Sequence, residues 1–310
     1  MEKPFVKLVE CPRDAMQGIV PFIPTEVKVR YLNTLLQVGF DTIDIGSFVS
    51  PKAIPQLADT AEVLARIDTT GSRSKLLVIV ANERGAEEAV KQAGVSYLGY
   101  PFSISETFQQ RNTNTSIEGS WARTARIAEL CRANGKEFVV YISMAFGNPY
   151  GDPWNAEVAL HWVDRLVREL GVSIIALSDT VGVARPEDIT SMFTALIPAL
   201  PQAEFGAHLH CTPANWKAKT DAAWQAGCRR FDGAIKGYGG CPMAEDELVG
   251  NLQMELFVQE LEGRGVRTGL DLGALDRAVR DSAGVFPSGR RRGGGCLTGG
   301  GRHGDQFTMP

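Results

Sequence analysis

Two histidines one residue apart, His208-Leu209-His210, close the strand-type run AEFGAHL. On a strand, side chains two residues apart point to the same side, so both imidazoles would face one cavity. That is half of a divalent-metal site. The chain has four histidines. His161 sits in the helix-type run EVALHWVDRL and reads as structural, and His303 lies in the C-terminal tail. Arg13-Asp14 follows another strand-type run and sets a cation beside a carboxylate, which alone is either a structural ion pair or part of a site. Cys241 stands between Gly240 and Pro242 in the run GYGGCP. Glycines let such a loop turn tightly. A thiol presented there is a proton donor or nucleophile, or a small residue in a turn. Asn251, at the start of the next helix-type run, offers a neutral oxygen donor. Gln17, Asp44, Ser47, Asn82, Tyr141, Ser143, Asp179 and Thr180 stand at or after other strand-type runs, where each can serve the site or bond neighbouring backbone.

These residues need a frame that collects strand ends. Strand-type runs fall at 5–11, 42–46, 75–81, 97–100, 137–143, 173–178, 203–209 and 230–233. Helix-type runs alternate with them near 25–38, 57–67, 84–94, 116–134, 155–170, 186–199 and 214–227. Thr25 can N-cap the first helix and Pro186 sits near the start of another. Gly94, Gly135, Gly171 and Gly227 follow helix ends. Eight such units in about 280 residues predict a TIM (β/α)8 barrel, with chemistry at the C-terminal ends of its strands. A doubly wound sheet is the other option, but CPRDAMQG after the first strand is no G-x-G-x-x-G fingerprint. The predicted domains are a catalytic barrel with its cysteine loop over 1–243, a barrel-capping helical extension over 244–283 with a helix at 252–263, and a tail over 284–310.

Composition removes several classes. Of 310 residues, 44% are hydrophobic and 22% charged, ample for a large core. No apolar run approaches the roughly 18 residues of a membrane span, and the start, MEKPFVKLVECPRDAMQG, lacks a signal-sequence pattern. A formal charge of −4 argues against a nucleic-acid partner. The tail carries Arg290, Arg291, Arg292 and Arg302 among dense glycine, so it is expected to be disordered and the remaining body acidic. Six cysteines without a C-x-x-C pair argue against a disulfide framework and suit a reducing cytoplasm.

The runs VECPRDAMQ, DIGSFVSPKAIPQLADT, SISETFQQRNTNTSIEGS, LSDTVGV, HLH and GYGGCP occur in this order. The chain in this respect resembles the 3-hydroxy-3-methylglutaryl-CoA lyases, from about residue 5 to residue 276. The resemblance implies a barrel that cleaves 3-hydroxy-3-methylglutaryl-CoA to acetyl-CoA and acetoacetate with Mg or Mn. It places the metal ligands on Asp14, His208, His210 and Asn251, the catalytic arginine on Arg13 and the loop cysteine on Cys241, with Asp14 or His208 as base. It also implies an acyl-CoA partner, and it leaves open a homo-oligomer in which the 244–280 extension packs on a second subunit. Departures surround this set. Cys11 stands where the family has glycine, Asp44 replaces glutamate, and Cys211 follows the second histidine in place of aspartate. Lys236 adds a charge near the mouth that can meet a carboxylate or a CoA phosphate, or remain a solvated loop lysine. A related 3-hydroxy acyl-CoA with another group on the tertiary carbon therefore stays open as substrate. Two further readings are an acetyl-CoA-dependent condensing enzyme acting on a 2-oxo acid and a non-catalytic acyl-CoA-binding barrel.

Overall fold

The structure, a computed structural model, describes residues 5–239 and 249–286. Its strands are β1 (Lys7–Glu10), β2 (Thr42–Ser47), β3 (Lys75–Ile79), β4 (Val95–Ser103), β5 (Glu137–Ser143), β6 (Ile174–Asp179), β7 (Glu204–Cys211), β8 (Arg230–Gly233) and β9 (Gly250–Asn251). Its helices are α1 (Pro12–Gln17), α2 (Thr25–Val38), α3 (Thr60–Arg66), α4 (Glu83–Val90), α5 (Glu106–Thr113), α6 (Ile117–Ala133), α7 (Ala156–Arg168), α8 (Pro186–Ala199), α9 (Trp216–Gln225), α10 (Met254–Gly263) and α11 (Leu272–Asp281). Strands β1 to β8 are parallel neighbours in chain order, and β8 pairs with β1, so the sheet closes into the expected (β/α)8 barrel.

Every residue of β2, β6 and β8 is buried. Such strands are covered on both faces, and the polar residues they carry, such as Asp44 and Asp232, are buried with them. Outward residues such as Leu8, Ile43, Val140, Ile175 and Phe231 join the helices in one core, whereas Leu77, Val139, Tyr141, Ile174 and Ala176 form a second cluster that fills the barrel. The inside is thus packed, and open chemistry is left to the strand ends.

Local signals worked unevenly. Pro186 is at the first turn of α8, and Gly135, Gly171 and Gly227 take left-handed φ of 64°, 69° and 99° just past helix ends. Thr25 is not a cap. Pro24 occupies that position, and the Thr25 hydroxyl donates instead to Asp59 at 2.8 Å, because Asp59 already receives Lys28 and offers the stronger acceptor. Gly94 ends no helix, since α4 stops at Val90. Helices α1 and α5 went unread, and α11 lies inside the expected helical extension without bounds of its own. The first two are only 6 and 8 residues long, too short for a periodic signal.

The extension contributes to the barrel mouth. Strand β9 runs antiparallel to β7 and pairs Asn251 with His210. Helix α11 packs on α2. Val285 and Phe286 beyond it are buried, and Phe286 stacks on Tyr238 with ring centroids 4.4 Å apart. Packed chain therefore continues through Phe286, past the start of the Gly/Arg-rich stretch at 284. Cys241 and the tail from 287 lie outside the described residues. No described helix is long and apolar enough to cross a membrane.

Candidate metal and active site

The end of β1 sets the site. Pro12 occupies the first turn of α1, a position where its missing N–H costs nothing. The short helix then swings Arg13 and Asp14 over the barrel mouth, both nearly inaccessible. Arg13 donates through Nε and Nη2 to Asp44 Oδ2, at 3.0 and 2.6 Å, and through Nη1 to Asp14 Oδ1 at 3.1 Å and Gln17 Oε1 at 2.9 Å. Gln17 in turn donates to Asp14 Oδ1 at 2.7 Å. Its guanidinium fork is thus held in one orientation by three acceptor side chains. Burial still dominates Asp44 and pushes its pKa up to about 6 despite Arg13, and its Oδ1 has no partner.

Across the barrel, the alternation of β7 brings His208 and His210 to one side, with ring centroids 5.4 Å apart. His208 Nδ1 meets Asp232 Oδ2 of β8 at 3.2 Å, and Tyr141 packs edge-on to the ring at 5.7 Å. Burial would lower the His208 pKa, but the Asp232 hydrogen bond and charge, with Asp14, outweigh it and raise it. His210 has no such carboxylate. Burial and the His208 charge drop it to about 4, so its imidazole is neutral near pH 7 and keeps a lone pair. Its Nε2 is buried with no partner. For Asp14, burial opposes ionisation, but Arg13, both histidines and the Asn251 hydrogen bond together hold its pKa below the usual carboxylate value.

Asp14, His208 and His210 offer donor atoms all within 4.8 Å of one another. Asn251 stands against them, its Nδ2 donating to Asp14 Oδ2 at 2.5 Å and to the Tyr238 carbonyl at 2.8 Å. An ionised carboxylate, a neutral imidazole with an orphaned nitrogen, and an imidazole whose far nitrogen is engaged by a carboxylate fit a divalent cation.

The structure brings Arg13, Asp14, Gln17, Asp44, Tyr141, His208, His210 and Asn251 together. Other expected residues are occupied locally. Asn82 caps α4 by accepting from Gly85 N at 2.9 Å. Ser47 Oγ accepts from Val49 N at 3.0 Å, and Thr180 Oγ1 from Met144 N at 2.9 Å. Ser143 is buried at the end of β5, where its carbonyl accepts from Ser103. Asp179 is turned toward α9, where Lys219 donates to it at 2.6 Å. Lys236 is exposed, beyond β8, in a left-handed conformation with φ 62°.

Three residues here were missed by sequence reasoning. Asp232 was legible from parity, since it pairs in register with His208. Lys219 gave no signal, being one lysine in a helix-type run. Gly239 was read only as loop flexibility. It sits at φ 105°, and a Cβ there would lie 2.5 Å from Asn251 Nδ2 and 3.0 Å from Asp14 Oδ2. Gly239→Ala is therefore expected to push these two side chains apart, with left-handed strain of about 1–2 kcal/mol added. Turnover should fall about tenfold or more and Mn(II) affinity should weaken in calorimetric titration. Unchanged values in both would show that the close approach is unimportant.

Comparison with known proteins points to one family. The HMGL-like family model matches residues 6–281. A mitochondrial hydroxymethylglutaryl-CoA lyase of Mus musculus is 37% identical over 272 residues, 87% of this chain and 82% of that protein. A 3-hydroxy-3-isohexenylglutaryl-CoA/hydroxy-methylglutaryl-CoA lyase of Pseudomonas aeruginosa is 35% identical, over 87% of this chain and 89% of its own. The structure of an HMG-CoA lyase from Acenitobacter baumannii, in complex with coenzyme A and 3-methylmalate, superposes with a TM-score of 0.84 at 29% identity, covering 99% of this chain and 98% of that one. With a closed parallel barrel, a carboxylate and two histidines converging at its mouth, and a family match over nearly all the described chain, this protein belongs to the HMGL-like family of HMG-CoA lyase-like enzymes.

Proposed function

We propose that the protein is a divalent-metal-dependent carbon–carbon lyase that cleaves 3-hydroxy-3-methylglutaryl-CoA, or a close 3-hydroxy acyl-CoA, to acetyl-CoA and a 3-oxo acid, acetoacetate for the first substrate. The observation that carries this reading is the convergence of Asp14, His208 and His210 beside Arg13. Asp14, His208, His210 and Asn251 would hold the cation. Mg or Mn bound there supplies Lewis-acid polarisation of the substrate's oxygens.

The chain's own groups do the rest. Retro-Claisen-type cleavage begins when the tertiary hydroxyl loses its proton, and Asp14 or His208 accepts it. Asp232 holds His208 through Nδ1, so Nε2 faces the reaction. As the carbon–carbon bond breaks, negative charge grows on the thioester oxygen. Arg13, whose orientation is already fixed by Asp44 and Gln17, stabilises that charge without reorganising. The enolate carbon then needs a proton, which Cys241 delivers or relays. Lys236, exposed at the mouth, meets a carboxylate or CoA phosphate of the substrate. Binding alone needs no such pairing of an acid with a base, which disfavours a non-catalytic barrel.

Substrate choice is tested by a panel of 3-hydroxy acyl-CoAs that differ at the tertiary carbon, assayed with wild type and Cys241→Ala. The proposal expects cleavage of at least one member and a loss of about 10²–10⁴-fold in turnover for the variant, with metal content unchanged. Synthesis from acetyl-CoA and a 2-oxo acid without any cleavage would favour a condensing enzyme instead. A fully active Cys241→Ala would remove that cysteine from the mechanism.

A further inference from the structure

Cys11 is fully buried at the end of β1, in the floor of the site, and none of the steps above uses it. Its Sγ forms a second donor group with His208 and Asp232, the three donor atoms lying within 4.8 Å of one another. His208 belongs to both groups, and its Nδ1 is the nitrogen that meets Asp232. Asp232 is itself almost inaccessible, and its Oδ1 has no hydrogen-bond partner although it is buried. An orphaned buried carboxylate oxygen is costly and is a place for a cation. Burial, with Asp232, Asp44 and Asp14 nearby, pushes the Cys11 thiol up, so the sulfur ionises only with a cation beside it. The Cys11 thiol currently makes only a weak contact of 3.8 Å with the Val9 carbonyl, so little has to be broken to free its sulfur.

We propose that Cys11, His208 and Asp232 form a second, thiophilic metal site, selective for Zn(II)-like cations and adjoining the oxygen- and nitrogen-rich group of Asp14, His208 and His210. The donor chemistry separates the two. Sulfur, imidazole and carboxylate together suit a tetrahedral cation of the zinc type, whereas the neighbouring set suits Mg or Mn. Binding forms one metal–sulfur bond and releases the thiol proton to solvent. His208 is common to both groups, its Nδ1 being the nitrogen on the Asp232 side. The site depends on a cysteine where the resembled family has glycine, so it is a property of this chain's own residues.

The test uses Co(II) as a spectroscopic probe in the full-length protein. Cobalt bound to thiolate shows a near-ultraviolet charge-transfer absorption that oxygen and nitrogen ligands do not produce. To exclude the loop thiol, the background is Cys241→Ser. We expect the absorption in Cys241→Ser, its bleaching by one equivalent of Zn(II), and its loss in both Cys11→Ala/Cys241→Ser and Cys11→Ser/Cys241→Ser. The serine variant keeps nearly the size of the thiol and guards against a packing defect. Absence of the band in Cys241→Ser, or its survival when Cys11 is replaced, overturns the proposal. Neither reading depends on turnover, so failure here leaves the lyase proposal untouched.

Discussion

Asp14→Asn should abolish tight divalent-metal binding and lower turnover by at least about 10²–10³-fold, while the barrel stays folded. Asp14 is the one group that touches every part of the site. It accepts from Arg13, Gln17 and Asn251 and shares a donor cluster with both histidines. The change removes one negative charge and one acceptor, since the new amide NH2 stands where Oδ2 accepted from Asn251. Asparagine keeps an oxygen for Gln17, and Arg13 keeps its two hydrogen bonds to Asp44, so the packing has no reason to collapse. The cation site, however, would be left with two imidazoles and two amides, a poor set for Mg or Mn. Metal content after dialysis and steady-state rates check this together. Stoichiometric metal and normal turnover in Asp14→Asn would remove Asp14 from both roles.

The second large effect is expected at a residue that touches the site only through the backbone of His210. Lys219 of α9 is 1% exposed. It donates to Asp179 Oδ2 at 2.6 Å and to the carbonyls of Gly182 and His210, each at 2.9 Å. All three ammonium protons are thereby satisfied, as a buried cation requires. Lys219→Met strands the Asp179 carboxylate, whose remaining support is the backbone amides of Ala184, at 3.1 Å, and Val183. Breaking a buried pair from one side costs about 3–5 kcal/mol. We expect a fall of that size in unfolding free energy, read from denaturant titration. The double variant Lys219→Met/Asp179→Asn should recover much of it, because the uncompensated charge is then gone. An additive double variant would mean that the lysine acts through packing alone. The same lysine pins the His210 carbonyl, so a drop in metal affinity should accompany the single change.

The two cases show what the sequence could and could not convey. The candidate metal group was legible because its residues carry rare types at informative spacing. His208 and His210 lie two apart on a strand, and Asp14 follows a strand end in a fold that gathers strand ends. Asn251 was read as an oxygen donor and given its ligand role by the resemblance, and what brings it beside His210 is β9, a two-residue strand, too short to leave a pattern. Asp179 looked equally like a site residue, since it too ends a strand. What decides its direction is parity. It lies one residue past Ser178, the residue paired with His208, so its carboxylate turns outward to Lys219. A lysine buried in a helix-type run has no sequence signature, because only the ion pair makes its burial affordable. Gly239 illustrates the same limit. Loop glycines usually mean flexibility, and the close approach to Asp14 and Asn251 appears only once three distant segments have met.

The most direct measurement of the central claim is product formation from 3-hydroxy-3-methylglutaryl-CoA, with and without a divalent cation. Protein freed of metal by chelator should make neither acetyl-CoA nor acetoacetate, and adding Mg or Mn should restore both in equal amounts. Cleavage that persists at full rate in the chelator-treated protein would contradict the assignment of Asp14, His208 and His210 as the holders of a required cation. No cleavage of this or any related 3-hydroxy acyl-CoA with metal restored would contradict the lyase reading itself.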